Sequence, residues 1–271
     1  MTTFTQKLSA VWQTSRSLVC VGLDPEFEKL PQRFRERPDG IFAFHKAIVD
    51  ATHDIVCAYK PQYAHHAALG AYDQLGAIID YIHDRYPNVP VILDAKRGDM
   101  GNTAMYLAKE AFEGFKADAV TVSPYLGTDA IEPFTHYADR GTVLLCRTSN
   151  PGANDLQELL IDGEPLYMKV ARLAATKWNG NGNVSLVVGA TAPSVIAAVR
   201  KVVGDMPLLV PGVGAQGGDA ADAVAAGRDS KGAGLMISAS RSVLYASSGD
   251  DFAHAARSVV EQMIADGASC E

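Results

Sequence analysis

Short runs of Val, Ile, Leu and Ala recur along the chain, separated by stretches whose apolar positions repeat at helical spacing. Eight runs stand out: SLVCVGLDP, IVCAYKPQ, VPVILDAKRGD, DAVTVSPY, GTVLLCRTS, VSLVVGAT, PLLVPGVGA and GLMISASRS. Their apolar residues run continuously instead of alternating with polar ones, the pattern of strands buried on both faces. Parallel strands need crossover connections, and crossover helices cover the sheet, so the pattern predicts a parallel sheet wrapped in helices. Eight strand–helix units predict a closed TIM (β/α)8 barrel. The rival is an open doubly wound sheet, whose edge strands should be less apolar than any of these.

No Ser/Gly-rich linker divides the chain, and NGNGN at 179–183 reads as a turn before the sixth strand. The expectation is one barrel domain over residues 1–271. Its first crossover is extended at about 26–54, where PQRFRERPDG precedes a helical FAFHKAIVDATHD.

Composition narrows the function. With 271 residues, 48% of them hydrophobic, the chain can bury a large core. A net charge of -7, from 24 basic and 31 acidic residues, argues against a broad nucleic-acid or anionic-membrane surface. No run approaches the length of a spanning helix, and the first twenty residues lack the basic start and apolar run of an export signal, so a cytoplasmic location is expected. Cys20, Cys57, Cys146 and Cys270 form no CxxC pair and are expected as reduced thiols, mostly in the core. His45, His53, His65 and His66 show no metal-ligand spacing and are expected to be satisfied or solvated. Tyr59, Tyr63 and Tyr125 are expected to pack at the rim, and Asp50, Asp54 and Asp73 to lie on solvated helix faces. Neither a metal nor a cofactor is expected.

In a barrel of this type the active site forms at the carboxyl ends of the strands. There the chain places Asp24 after strand one, Lys60 in strand two, Asp94 and Lys96 in strand three, Thr148 and Ser149 after strand five, and Ser240 and Arg241 after strand eight. Within VILDAKRGDMGNT at 91–103, Asp94 and Lys96 are two residues apart, so regular strand geometry sends both side chains to one face. The bland alternative is a structural ion pair closing the barrel top. Asp99 lies beyond Gly98, where strand geometry cannot place it beside Lys96. In PGVGAQGGD at 211–219, Gly212, Gly214 and Gly217 form a formal G-x-G-x-x-G, but it comes late and lacks an acidic partner about twenty residues on. Glycine-rich backbone after strand seven, together with Arg241, fits instead the barrel position at which a phosphate is held.

Taken in order, VGLDP, AYKPQ, LDAKRGDMGNT, TSNPGA, PGVGAQGG and SRS resemble the orotidine 5'-phosphate decarboxylase family in its longer bacterial form. The resemblance implies cofactor-free conversion of orotidine 5'-phosphate to uridine 5'-phosphate by a homodimer with sites shared across its interface. It assigns the charge array to Lys60, Asp94, Lys96 and Asp99, with Asp99 and Thr103 reaching the partner's site. It assigns the ribose to Asp24, the pyrimidine to Ser149, and the phosphate to Gln216, Arg241 and the loop around Gly214. Met100, where isoleucine is expected, and Ser240, where glycine is common, depart from the family pattern. Two other readings predict different features: a sugar-phosphate barrel lyase or isomerase needs extra carboxylates for a metal, and a noncatalytic phosphate-ligand module needs no alternating charge array.

Overall fold

All eight apolar runs form strands: β1 (Val19–Leu23), β2 (Ala58–Pro61), β3 (Ile92–Arg97), β4 (Ala119–Val122), β5 (Gly141–Arg147), β6 (Val184–Val188), β7 (Leu208–Pro211) and β8 (Leu235–Ala239). This computed structural model describes residues 2–213 and 218–270. The strands pair in parallel in the spatial order β2-β1-β8-β7-β6-β5-β4-β3. Parallel bridges Tyr59–Val91 and Gln62–Asp94 join the two ends of that order, so the sheet closes on itself and the open doubly wound alternative falls.

Helices follow every strand and bury one stripe against the barrel wall. The helix Tyr72–Arg85 shows how the sequence specifies this: Leu75, Ile78, Ile79 and Ile82 repeat at helical spacing and are completely buried. Each such side chain contributes about 1.5–3 kcal/mol relative to exposure. Between β1 and β2 lie a helical turn at Phe27–Lys29, a short helix at Gln32–Arg35 and the helix Gly40–Thr52.

Two elements have no counterpart in the sequence reading. The helix Phe4–Ser15 crosses the amino end of the barrel, started by a capping box in which Thr3 and Gln6 bond each other's backbone. Its Trp12 donates to Leu235 O at 3.1 Å, at the start of β8. Its Phe4 packs so tightly on the start of β5 that a Cβ on Gly141 would lie 2.4 Å from the Phe4 ring. A small hairpin, Leu160–Ile161 with Glu164–Pro165, turns through Asp162 and Gly163, both at positive φ as a tight hairpin requires.

Several surface expectations are corrected. Asp50 is half-buried and accepts from Lys46 Nζ and from the hydroxyls of Tyr81 and Tyr86, tying helices together, whereas Asp54 and Asp73 are exposed as expected, Asp54 pairing with Arg257 at the surface. Tyr59 is wholly buried, with its hydroxyl bonded to Val49 O and to Thr52, and is no rim residue. His45 and His66 are both completely buried with ring centroids 5.4 Å apart. His66 donates from Nδ1 to Gln62 O at 2.9 Å, but neither nitrogen of His45 nor Nε2 of His66 has a hydrogen-bond partner among the described residues. The expectation of satisfied histidines therefore fails for this pair.

That pair makes stability depend on pH. Burial lowers the pKa of both rings, and each suffers further from the charge of a neighbouring histidine. A histidine with a depressed folded pKa binds its proton more readily when unfolded, so stability is full above the unfolded value of 6.5 and declines as pH falls below it. Denaturant unfolding should show a loss of up to about 1.4 kcal/mol per pH unit for each ring between roughly pH 6.5 and 5. His45→Leu should flatten that slope by one proton; an unchanged slope would remove the pair as its source.

Candidate active site

At the carboxyl ends of the strands the barrel opens into a cavity of about 550 Å³. Asp24, Lys60, Asp94, Lys96, Ser149 and Arg241 all line it, so the barrel gathers six residues scattered over more than two hundred positions. Its lower wall is apolar, formed by Leu145 of β5, Val187 of β6 and Leu209 of β7. A flat, partly apolar ring can be buried between that wall and the charged rim.

Asp94 is the hub. Its Oδ2 accepts from Lys60 Nζ at 2.9 Å and Gln62 Nε2 at 3.2 Å; its Oδ1 accepts from Lys96 Nζ at 2.8 Å and Thr121 Oγ1 at 2.8 Å. Four donors fill the four acceptor positions of one carboxylate. Burial alone would raise this carboxyl, but Lys60 and Lys96 outweigh it and hold the pKa well below the usual range. Burial likewise disfavours the Lys60 ammonium, and Asp94 and Asp24 more than compensate, holding its pKa above the ordinary value. Asp94 and Lys60 are thus both charged throughout the physiological range. Lys60 Nζ also lies 3.9 Å from Asp24 Oδ1, and that oxygen is buried with no hydrogen-bond partner among the described residues.

The two-residue spacing of Asp94 and Lys96 brings them together, but not by regular strand alternation. Pairing between β3 and β4 is suspended between Leu93 and Arg97, which oppose Val120 and Val122, so four steps on one strand match two on the other. Lys96 sits in the bulge at φ 45°, a left-handed conformation that costs a side-chain-bearing residue about 1–3 kcal/mol. The freed backbone N–H groups of Ala95 and Lys96 both donate to Thr121 Oγ1, at 3.0 and 2.9 Å. Beyond the bulge Arg97 is clamped by Glu110 at 2.7 Å, with its guanidinium 3.9 Å above the Tyr63 ring. The Lys96 side chain stays half exposed and reaches over the cavity.

Close approaches fix the remaining rim. A Cβ on Gly22 would meet Ser240 Oγ at 1.9 Å, and one on Gly189 would meet Ser149 Cβ at 2.8 Å. Gln157, from the segment leading to the small hairpin, bonds the backbone and hydroxyl of Thr148. Arg241 begins the short helix Arg241–Leu244 beyond β8 and has no carboxylate partner among the described residues. Across the mouth, Gly212 adopts φ 98°.

Of the other expected site residues, two lie away from this cavity and two fall outside the described residues. Asp99 accepts from the N–H of Met100 at 2.8 Å and does not line the cavity. Thr103 is exposed on the helix Gly101–Lys109, also away from the cavity. Gly214 and Gln216 fall outside the described residues, as does Gly217 of the glycine pattern. Conversely, the sequence reading assigned no role to Thr121 or Gln62. The signal for Thr121 was present: it is the polar residue inside the otherwise apolar AVTV of β4, and only 1% exposed.

Comparison with known proteins agrees with this geometry. Residues 17–257 match the model of the orotidine 5'-phosphate decarboxylase / HUMPS family. The orotidine 5'-phosphate decarboxylase of Cellvibrio japonicus is 60% identical over 258 residues, covering 94% of each chain. Among solved structures, Leishmania donovani OMP decarboxylase is 36% identical with a TM-score of 0.84, covering 97% of this chain and 98% of the other. Leishmania donovani UMP synthase is 38% identical with a TM-score of 0.87, covering 98% of this chain and 57% of that longer one. A charged rim of this composition, on this barrel, with similarity along nearly the whole sequence, leaves one conclusion: the chain belongs to the orotidine 5'-phosphate decarboxylase family.

Proposed function

We propose that Lys96, held by Asp94 against Lys60, is the group that drives the decarboxylation of orotidine 5'-phosphate to uridine 5'-phosphate and CO2 in this enzyme. The observation that carries the assignment is the pair of ammonium groups at 2.8 and 2.9 Å from one buried carboxylate, in the cavity that Ser149 and Arg241 also line. As the bond from the pyrimidine ring to the carboxylate breaks, CO2 departs and an electron pair stays on the ring carbon. Lys96 Nζ stabilises that charge and gives it a proton, then regains one from solvent.

One contact is not enough. At about 4 Å and an effective dielectric near 20, an ion contact is worth roughly 4 kcal/mol, whereas enzymes typically supply about 8–23. The rest comes from an array already oriented before substrate arrives and from binding energy gathered at the phosphate. Asp94 keeps Lys96 aimed. Asp24 Oδ1, buried and unpartnered among the described residues, is an acceptor in search of a ribose hydroxyl. Ser149 faces the ring, and Arg241 with the backbone after β7, including Gly214 and Gln216, takes the phosphate.

The metal-dependent lyase reading is poorly served here, because Asp94 already spends its acceptor positions on ammonium, amide and hydroxyl donors. Among the described residues no three His, Cys, Asp or Glu side chains converge as ligands. Decarboxylation followed by ultraviolet absorbance should therefore proceed unchanged in excess EDTA. Loss of activity that magnesium restores would overturn this reading.

Arg241→Ala should lower kcat/KM by about 10- to 200-fold, the equivalent of a charge-assisted contact of roughly 1.5–3 kcal/mol. A substrate lacking the phosphate should be much less sensitive to the substitution. Equal sensitivity of the two substrates would place Arg241 elsewhere in the reaction.

The active unit in this proposal is a homodimer. Met100, Met105 and Tyr106 are each more than half exposed on and beside the helix Gly101–Lys109, and they supply apolar surface for an isologous contact. Asp99 and Thr103 lie on that same segment and would enter the partner's cavity. Mixing inactive Lys96→Ala with inactive Asp99→Asn then yields mixed dimers in which one site carries both lesions and the other neither. With random exchange about a quarter of the sites should recover. Verified exchange without recovery would return Asp99 to its own subunit or remove it from catalysis.

A further inference from the structure

We propose that Thr121 is a positioning residue for the decarboxylation, holding Lys96 and Asp94 in register through its hydroxyl. The proposal deepens the assignment of Lys96 and Asp94 above and rests on it.

Pairing between β3 and β4 lapses just where the reactive lysine sits, so the N–H groups of Ala95 and Lys96 have lost their strand partners. Thr121, on the neighbouring strand, replaces them. Its Oγ1 accepts from both N–H groups at 3.0 and 2.9 Å and donates its own proton to Asp94 Oδ1 at 2.8 Å. A hydroxyl offers one donor and two acceptor positions, and all three are used. One oxygen therefore links the backbone of the lysine, the carboxylate that orients its ammonium, and the adjoining strand. That link holds Lys96 in its left-handed backbone conformation at the rim of the cavity.

Valine has nearly the same shape and suits a buried strand, but it offers neither acceptor nor donor. In Thr121→Val two part-buried N–H groups and one acceptor position of Asp94 lose their partner, and the bulge is free to relax. Lys96 would shift without leaving the site. A displacement of about 1 Å in a reacting group costs on the order of 100-fold in rate. Thr121 Oγ1 hydrogen-bonds only with Ala95, Lys96 and Asp94 among the described residues, so Arg241 and Asp24, assigned above to phosphate and ribose, are not touched by this change.

The test compares Thr121→Val with Thr121→Ser. A positioning hydroxyl predicts that valine lowers kcat by about 10- to 100-fold with KM within about twofold, and that serine restores kcat to within about threefold of wild type. A packing role predicts the reverse order, with valine active and serine impaired, and that result would overturn the proposal. If the valine variant does not fold, Thr121→Cys takes its place with the same expected loss, because a thiol is a poor hydrogen-bonding substitute. Lys96→Ala is measured alongside. An active Lys96→Ala defeats the underlying site assignment, whereas an inactive one beside a Thr121→Val of normal kcat defeats the role of Thr121 alone.

Discussion

A single buried carboxylate, that of Asp94, organises this end of the barrel. An isolated carboxylate cannot be taken out of water at acceptable cost, so its presence here demands partners. It finds four, from β2, the residue after β2, β3 and β4. Because those donors come from separate strands, the carboxylate is satisfied only when β2, β3 and β4 stand in their closed-barrel register. The join between β2 and β3, where pairing is reduced to isolated bridges, is the seam at which Gln62 meets Asp94. Fold closure and charge satisfaction are at that point the same event.

This arrangement also accounts for where strain is tolerated. The bulge at Lys96 gives up regular ladder bonds and accepts a left-handed residue, and both losses are compensated locally. Thr121 takes the orphaned N–H groups, while the Arg97–Glu110 pair and the Tyr63 face fix the chain just beyond. At the opposite end of the barrel, by contrast, Phe4 packs against Gly141 at the start of β5 and Trp12 bonds Leu235 O at the start of β8. The candidate site lies at the carboxyl end, as expected for this architecture.

The sequence made the scaffold and most of the rim legible for a physical reason. Continuous apolar runs have few alternatives to a doubly covered parallel strand, and once eight are counted, the residue following each run is placed by the fold. Asp24, Lys60, Asp94, Ser149 and Arg241 could be found that way. Lys96 was found for a partly wrong reason, since two-residue spacing implies a regular strand and the bulge is invisible to periodicity. Thr121 and the Phe4–Ser15 helix were missed because each acts through a contact far away in sequence: a hydroxyl whose partners lie 25 to 27 residues back, and an amphipathic segment whose docking face is the barrel floor. The histidine pair escaped because spacing says nothing about burial.

The same reasoning bears on why the rim is charged rather than simply polar. A buried ion array is at best a weak source of stability, and apolar replacements of similar volume are often neutral or stabilising. Its retention at the mouth of a barrel already well packed elsewhere is therefore not explained by folding. The proposed reaction builds negative charge on a ring carbon and needs a cation held in place beside it. Asp94 holds Lys96 in place, and its own negative charge is opposed by Lys60 as well as Lys96. Two ammonium groups thus face two carboxylates, Asp94 and Asp24, in fixed positions before the reaction, which is the sense in which preorganised electrostatics lowers a barrier.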